Sequence, residues 1–272
     1  MANDPPLIPE QRQRELLRLL RGAGALGIRH LADHLGVSHM TVRRDIAALE
    51  AEGRVVSVQG GVRLTERAGV EPPRERASRA MLELPRKQAI AAAAVDLVSD
   101  DSVVFLDAGT TCEALVPFLA RRQEITVVTN DFFAIATLRG YPSIQTIHTG
   151  GLVDAASGSS TGPLAAATLA ALAVDVAFLS TGAWDRTHGV TTPELDKLTL
   201  KRAAMDAASV CVLVADSTKY GASERFKVAA LDTFDVIVTD DGLDEGTAVD
   251  LGERGVEVRL AHVGDHAARA LT

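Results

Sequence analysis

Aromatic side chains are scarce, at 4% of 272 residues, so recognition of nucleic acid by base-stacking platforms is excluded and the cores must be aliphatic. The two cysteines, Cys112 and Cys211, are too few for a disulfide framework. Neither has metal-like spacing with any of the seven dispersed histidines, so no metal or other cofactor is expected. No apolar run approaches the roughly 20 residues that cross a bilayer, and nothing before Pro9 reads as a signal sequence. A cytoplasmic chain without membrane contact is the expectation. Also lacking are a G-x-S-x-G elbow, a Walker loop, a G-x-G-x-x-G turn and an H-E-x-x-H helix, and no catalytic residue is nominated.

A net charge of −8 argues superficially against a nucleic-acid partner, but the charge is divided along the chain. Residues 1–79 carry 13 Lys and Arg against 10 Asp and Glu, and the remainder carries 15 against 26. A slightly basic head on an acidic body suits a protein in which only the head meets phosphate backbones.

The head reads as three short helices and a hairpin. The first runs from Glu10 to Arg21 with Leu16, Leu17, Leu19 and Leu20 as its apolar side, and the second from Ile28 to Leu35. Ser38 stands at the N-cap of a third helix, His39 to Glu52, in which Val42, Ile46 and Leu49 share one sector. The opposite side offers Thr41 and Arg44 among alanines, with Arg43 on the flank. Small residues let such a helix approach a major groove while arginine reaches a base edge, although a solvated face has the same composition. Arg54 to Val58, a Gln59-Gly60-Gly61 turn and Val62 to Leu64 form a wing, on which Arg54 and Arg63 would touch the sugar-phosphate backbone.

The boundaries drawn are 1–64 for the DNA-binding head, 65–79 for a linker marked by Pro72-Pro73, and 80–272 for an α/β body. Apolar strands are expected at 103–106, 125–128, 144–148, 174–179, 210–215 and 236–239, with 256–261 as an edge. Helix-length stretches separate them, which indicates a mostly parallel sheet covered on both faces. Ligands of such sheets bind beyond the carboxyl ends of the strands, and those ends are polar here. Asp107-Ala108-Gly109-Thr110-Thr111 opens directly into a helix, where amides and hydroxyls would form an anion pocket. Thr129-Asn130-Asp131, Thr149-Gly150-Gly151, Ser180-Thr181-Gly182 and Asp216-Ser217-Thr218-Lys219 converge on the same rim. Asn130 suits sugar hydroxyls, Lys219 suits a phosphate, and Asp185 after Trp184 fits either a hydroxyl or a loop role. Cys112 reads as a small buried residue.

Leu31-Ala32 to Leu35-Gly36-Val37-Ser38, Thr41-Val42-Arg43-Arg44-Asp45-Ile46 and Gly60-Gly61 resemble the winged helix-turn-helix of DeoR-type bacterial regulators. Asp107 to Thr111, Val128-Thr129-Asn130, Gly150-Gly151, Leu200-Lys201-Arg202 and Ala215 to Lys219 resemble that family's sensor domain. The resemblance implies a repressor whose sensor has a ribose-5-phosphate-isomerase-like fold and binds a phosphorylated sugar, released from a double-stranded operator as a homo-oligomer. By position it implies DNA contacts at Thr41, Arg43 and Arg44, and Ser38 and His39 at the start of the same helix are counted with them. It places the phosphate on Gly109, Thr110 and Thr111, with Asp107, Asn130, Gly151, Asp216 and Lys219 around the sugar; Gly150 and Asp185, on the same rim, are counted with the effector-binding residues. A tryptophan at 184 departs from the family pattern and would narrow the pocket. The competing reading is an isomerase-like enzyme with an accessory head, which lacks a legible proton-moving carboxylate.

Overall fold

The computed structural model describes residues 8–51, 54–58, 60–64 and 76–264. Of these, the residues up to 64 form one compact unit, and those from Arg76 onward, apart from Gly221–Ser223, form the other.

In the first unit, α1 (Pro9–Ala23) stops at Gly24, whose φ of 73° few other residues adopt. Next come β1 (Ala25–Gly27), α2 (Ile28–Leu35) and α3 (His39–Ala51). The wing strands are β2 (Val55–Val58) and β3 (Gly61–Leu64), and β1 joins them in the antiparallel order β1-β3-β2. Strand β1 is absent from the sequence reading because three residues offer no alternation to detect. Leu16, Leu17, Leu20, Leu31, Val42 and Leu49 meet in one apolar cluster, so the stripes of all three helices face inward as their spacing requires. The Ser38 hydroxyl accepts the Thr41 N–H at 3.1 Å and caps α3.

The second unit opens with α4 (Arg76–Met81) and the alanine-rich α5 (Leu84–Ala94). Residues 76–79, expected as linker, are therefore helical; 65–75 lie outside the described residues. Strand β4 (Val103–Leu106) follows, and the helix expected from Cys112 to Arg121 is broken into α6 (Thr110–Glu113) and α7 (Val116–Leu119). Pro117 in the first turn of α7 has no N–H to continue the earlier ladder. The chain continues through β5 (Thr126–Thr129), α8 (Phe132–Leu138) and β6 (Gln145–His148), then the hairpin β7 (Leu152–Asp154) and β8 (Ser159–Thr161). Helix α9 (Gly162–Ala170), β9 (Val174–Ser180), β10 (Ala183–Asp185), β11 (Gly189–Thr192), α10 (Leu195–Ala207) and β12 (Ala208–Val214) come next. Strand β13 (Phe226–Ala229), β14 (Val236–Asp240), α11 (Glu245–Glu253) and β15 (Glu257–Ala261) complete the unit.

Seven of these strands form one parallel sheet in the order β15-β14-β12-β9-β4-β5-β6. Alternation sends Val104, Leu106 and Phe178 into the layer holding α5, α6 and α7, and Phe105, Ala177 and Leu179 into the layer holding α9, α10 and α11. The sheet grows outward in both directions from the β4/β9 pair, and at such a switch point the two outgoing loops part and leave a crevice. A small antiparallel sheet, β10-β11-β13, lies beyond the main one.

Candidate functional site

The residue following β4 and the last residue of β9 are tied by a buried polar cluster. The Asp107 carboxylate, 3% exposed, accepts the Ser180 N–H at 3.0 Å and the Ser180 hydroxyl at 3.2 Å through Oδ2, and the same oxygen is ion-paired with Lys201 of α10. Lys201 Nζ also donates to the Ser180 carbonyl at 2.6 Å. Asp107, expected beside the sugar, is thus engaged as the clasp of the switch point. The cause is a lysine 94 residues away in sequence.

Gly109 also differs from expectation. Its φ of 168° is extended backbone, so no turn demands glycine; a Cβ there would lie 2.3 Å from Ser180 Oγ, and the close approach does. Its N–H is already donated to Asp131 Oδ2 at 3.0 Å, so the amides left to an anion are those of the following turn, where Thr110 is half-buried and Thr111 buried. Asp131 caps α8 by accepting the Phe133 N–H at 2.8 Å, and its Oδ2 takes Arg76 Nη2 at 3.0 Å. Arg76 and Asp131 were not among the expected site residues.

At the next strand end Asn130, 2% exposed, donates Nδ2 to the Ser160 carbonyl at 2.9 Å, while its Oδ1 has no hydrogen-bond partner. Gly150 has a φ of 66° and donates to His148 Nδ1 at 3.0 Å. Gly151, at φ 111°, lets α9 approach, since a Cβ would meet the Thr161 carbonyl at 2.8 Å. Asp185 is drawn into its own turn: it accepts the N–H groups of Thr187 and His188, both at 2.6 Å, and pairs with His188 Nδ1 at 2.8 Å. The loop role therefore accounts for its bonds. Trp184 is fully buried with its ring 4.8 Å from that of Tyr220. Cys112 is buried as expected, and burial pushes its thiol well up.

Asp216, 2% exposed, accepts the Thr218 N–H at 3.1 Å and caps the turn that carries half-buried Lys219. Beside it Arg86 reaches Ser217 Oγ at 2.8 Å and is ion-paired with fully buried Asp240. Lys87 is buried as well, donating to the carbonyls of Leu82, at 2.6 Å, and Arg79. Burial pushes its amine down to about 8, with Asp216 opposing the shift and Lys219 adding to it. Between about pH 8 and 10 the unfolded chain holds a proton on Lys87 that the folded chain has lost, so stability gains with rising pH. The difference in melting temperature between wild type and Lys87→Met is expected to widen in favour of wild type across that window; a flat difference would show that the amine is not held low.

In the head, α3 presents Ser38, His39, Arg43 and Arg44 as exposed residues, with exposed Ala47 and Ala48 beyond and Thr41 half-buried against Ser38. Arg63 is exposed on β3. Arg54 is a correction: it is 8% exposed and stands before β2, at the base of the wing, where its N–H closes the end of α3 on the Leu49 carbonyl. Sequence reasoning also missed Arg12, whose Nε and Nη2 meet the two oxygens of buried Asp45 at 2.5 and 3.0 Å.

A winged helix-turn-helix joined to a separate doubly wound α/β unit defines a class, the transcriptional regulators with a head and a sensing body. Residues 12–68 match the DeoR-like helix-turn-helix domain and residues 83–241 match the DeoR C-terminal sensor domain. The chain belongs to the DeoR family of transcriptional regulators. It is 40% identical over 254 residues to an uncharacterized HTH-type transcriptional regulator of Haemophilus influenzae, covering 93% of this chain and 98% of that protein. With a putative aga operon transcriptional repressor of Escherichia coli O157:H7 the identity is 29% over 252 residues, covering 92% and 93%. Ribose 5-phosphate isomerase A of Methanocaldococcus jannaschii overlaps 49% of this chain and 53% of its own, with 20% identity and a TM-score of 0.37. No helix among the described residues is long and apolar enough to cross a membrane.

Proposed function

We propose that the protein is a repressor of an operon for carbohydrate metabolism, released from its operator when a phosphorylated sugar binds at the β4/β9 switch point. The observation that carries this reading is the polar crevice itself: the carboxyl ends of β4 and β9, where the sheet reverses, hold Asp107, Thr111 and Ser180, and that of neighbouring β5 holds Asn130, in the position where doubly wound sheets take ligands. Thr110, Thr111 and Lys219 would meet the phosphate, and Asn130 and Gly150 the sugar. An isomerase would need a carboxylate at liberty to move a proton. Here Asp107 is paired with Lys201, Asp131 with Arg76 and Asp240 with Arg86, which supports sensing over turnover. The repressor named for the aga operon supports the sign of regulation.

The DNA-binding residues are Ser38, His39, Thr41, Arg43 and Arg44 on α3, with Arg63 on the wing. Heads linked through an oligomer of sensor units would gain affinity for repeated half-sites by effective concentration. Arg44→Ala is expected to cost about 1–3 kcal/mol of specific binding, the worth of a bidentate contact to a base. Selection of a binding site from random duplexes followed by anisotropy titration measures it, and equal affinity of the two proteins would remove Arg44 from the readout. Ligand-dependent loss of DNA binding, without chemical conversion of the added sugar phosphate, tests the reading as a whole.

A further inference from the structure

Helix α4 brings a buried, incompletely bonded cation to the site. Arg76 is 7% exposed, yet its Nη1 has no hydrogen-bond partner, while Nη2 meets Glu113 Oε2 at 2.7 Å and Asp131 Oδ2 at 3.0 Å. The guanidinium lies 4.7 Å from the centroid of the Phe133 ring, which fixes its plane. Buried donors ordinarily find an acceptor, and this one does not among the described residues.

Both carboxylates that hold Arg76 belong to the surroundings of the Gly109–Thr111 turn. Glu113 is the last residue of α6, the helix that this turn opens, and Asp131 Oδ2 accepts the Gly109 N–H as well as Arg76. Asn130, adjacent to Asp131, is 2% exposed and has its Oδ1 unpartnered. An orphaned donor and an orphaned acceptor thus flank a single carboxylate, and a phosphorylated sugar has phosphoryl oxygens for the first and hydroxyls for the second.

We propose that Arg76 is a ligand for the anionic group of the effector, held ready for it by Asp131 and Glu113. The inference rests on the sensing role proposed above. A phosphate monoester offers about −1.5 to −2 charge at pH 7 against the single charge of Asp131, and it accepts a guanidinium in a two-pronged bond. Bound at the turn, it draws Arg76 toward itself and leaves Asp131 to Gly109 and Phe133. Arg76 sits on the first described helix after the DNA-binding unit.

Calorimetric titration of the full chain with inorganic phosphate and a panel of tetrose, pentose and hexose phosphates tests this. Arg76→Gln is expected to weaken the strongest of these ligands by about 30-fold, and Arg76→Lys, which keeps charge but loses the fork, by about 5-fold. Arg76→Gln combined with Glu113→Gln and Asp131→Asn removes the guanidinium together with both carboxylates that pair with it, so that a folding defect from an unpaired carboxylate is told apart by circular dichroism. The wild type should also tighten from pH 5.5 to 7.5 as the phosphate gains its second charge, whose pKa is about 6, and Arg76→Gln should flatten that profile. Wild-type binding with an Arg76→Gln affinity within about twofold and an unchanged pH profile would overturn the role of Arg76 alone. A wild type that binds none of the phosphates would overturn the sensing role with it.

Discussion

Lys201→Met is expected to destabilise the chain by about 3–5 kcal/mol, the range for removing one partner of a buried ion pair. The loss comes mostly from what remains. Asp107 would stay 97% buried with only the Ser180 amide and hydroxyl to answer its charge, and the Ser180 carbonyl would lose a donor. Because Asp107 follows β4 and Ser180 ends β9, the crevice would open at its floor, and the response to ligand should fall along with stability. Adding Asp107→Asn to the variant should recover part of the loss, since no buried charge is then unpaired. Urea denaturation measures both proteins, and a loss below about 1 kcal/mol for the single variant would mean that the pair is not a clasp.

In the head, Arg12→Met should cost about 3–5 kcal/mol, the same range, because this pair is as buried as the first, with side-chain exposures of 11% and 4% against 9% and 4%. Hydrogen bonding to Asp45 holds the Arg12 guanidinium above its ordinary value, so the charge is present at every accessible pH. Asp45 directly follows Arg44 on α3, and the fork from α1 therefore fixes the roll of the helix that would enter the groove. Loss of specific DNA binding should accompany the loss of stability. Full retention of both in Arg12→Met would show that the apolar cluster alone orients α3.

Most of the fold was legible in the sequence because its main elements bury apolar residues at regular spacing. The runs at 103–106 and 236–239 became β4 and β14 nearly unchanged, and the leucines of α1 and α2 face the core as their period demands. Elements of three or four residues, such as β1, β10 and the β7–β8 hairpin, carry too few periods to show one. The ends of the strands were legible as polar, but not their internal pairing. Asp107 and Lys201, Arg76 and Asp131, and Arg12 and Asp45 are joined only by the folded chain, at separations of 94, 55 and 33 residues. For that reason the sequence does not show that Asp107, expected beside a sugar, is paired with Lys201, or that Arg54, expected on DNA, is buried at the base of the wing. Residues 76–79, whose mixed charges and missing apolar period suggested a linker, form part of α4, whose arginine is anchored by carboxylates of the body.

Melting of the full chain against each phosphorylated sugar and its unphosphorylated parent, for wild type and Gly109→Val side by side, bears most directly on the β4/β9 crevice as a receptor for sugar phosphates. At 100 times its dissociation constant a ligand stabilises the folded state by about 2.7 kcal/mol, a shift easily read. Wild type should rise with at least one sugar phosphate and not with the parent sugar, and Gly109→Val, whose side chain collides with Ser180, should not rise with either. A shift that is the same with and without the phosphate group, or one that survives in Gly109→Val, would place the ligand elsewhere or make it a different compound.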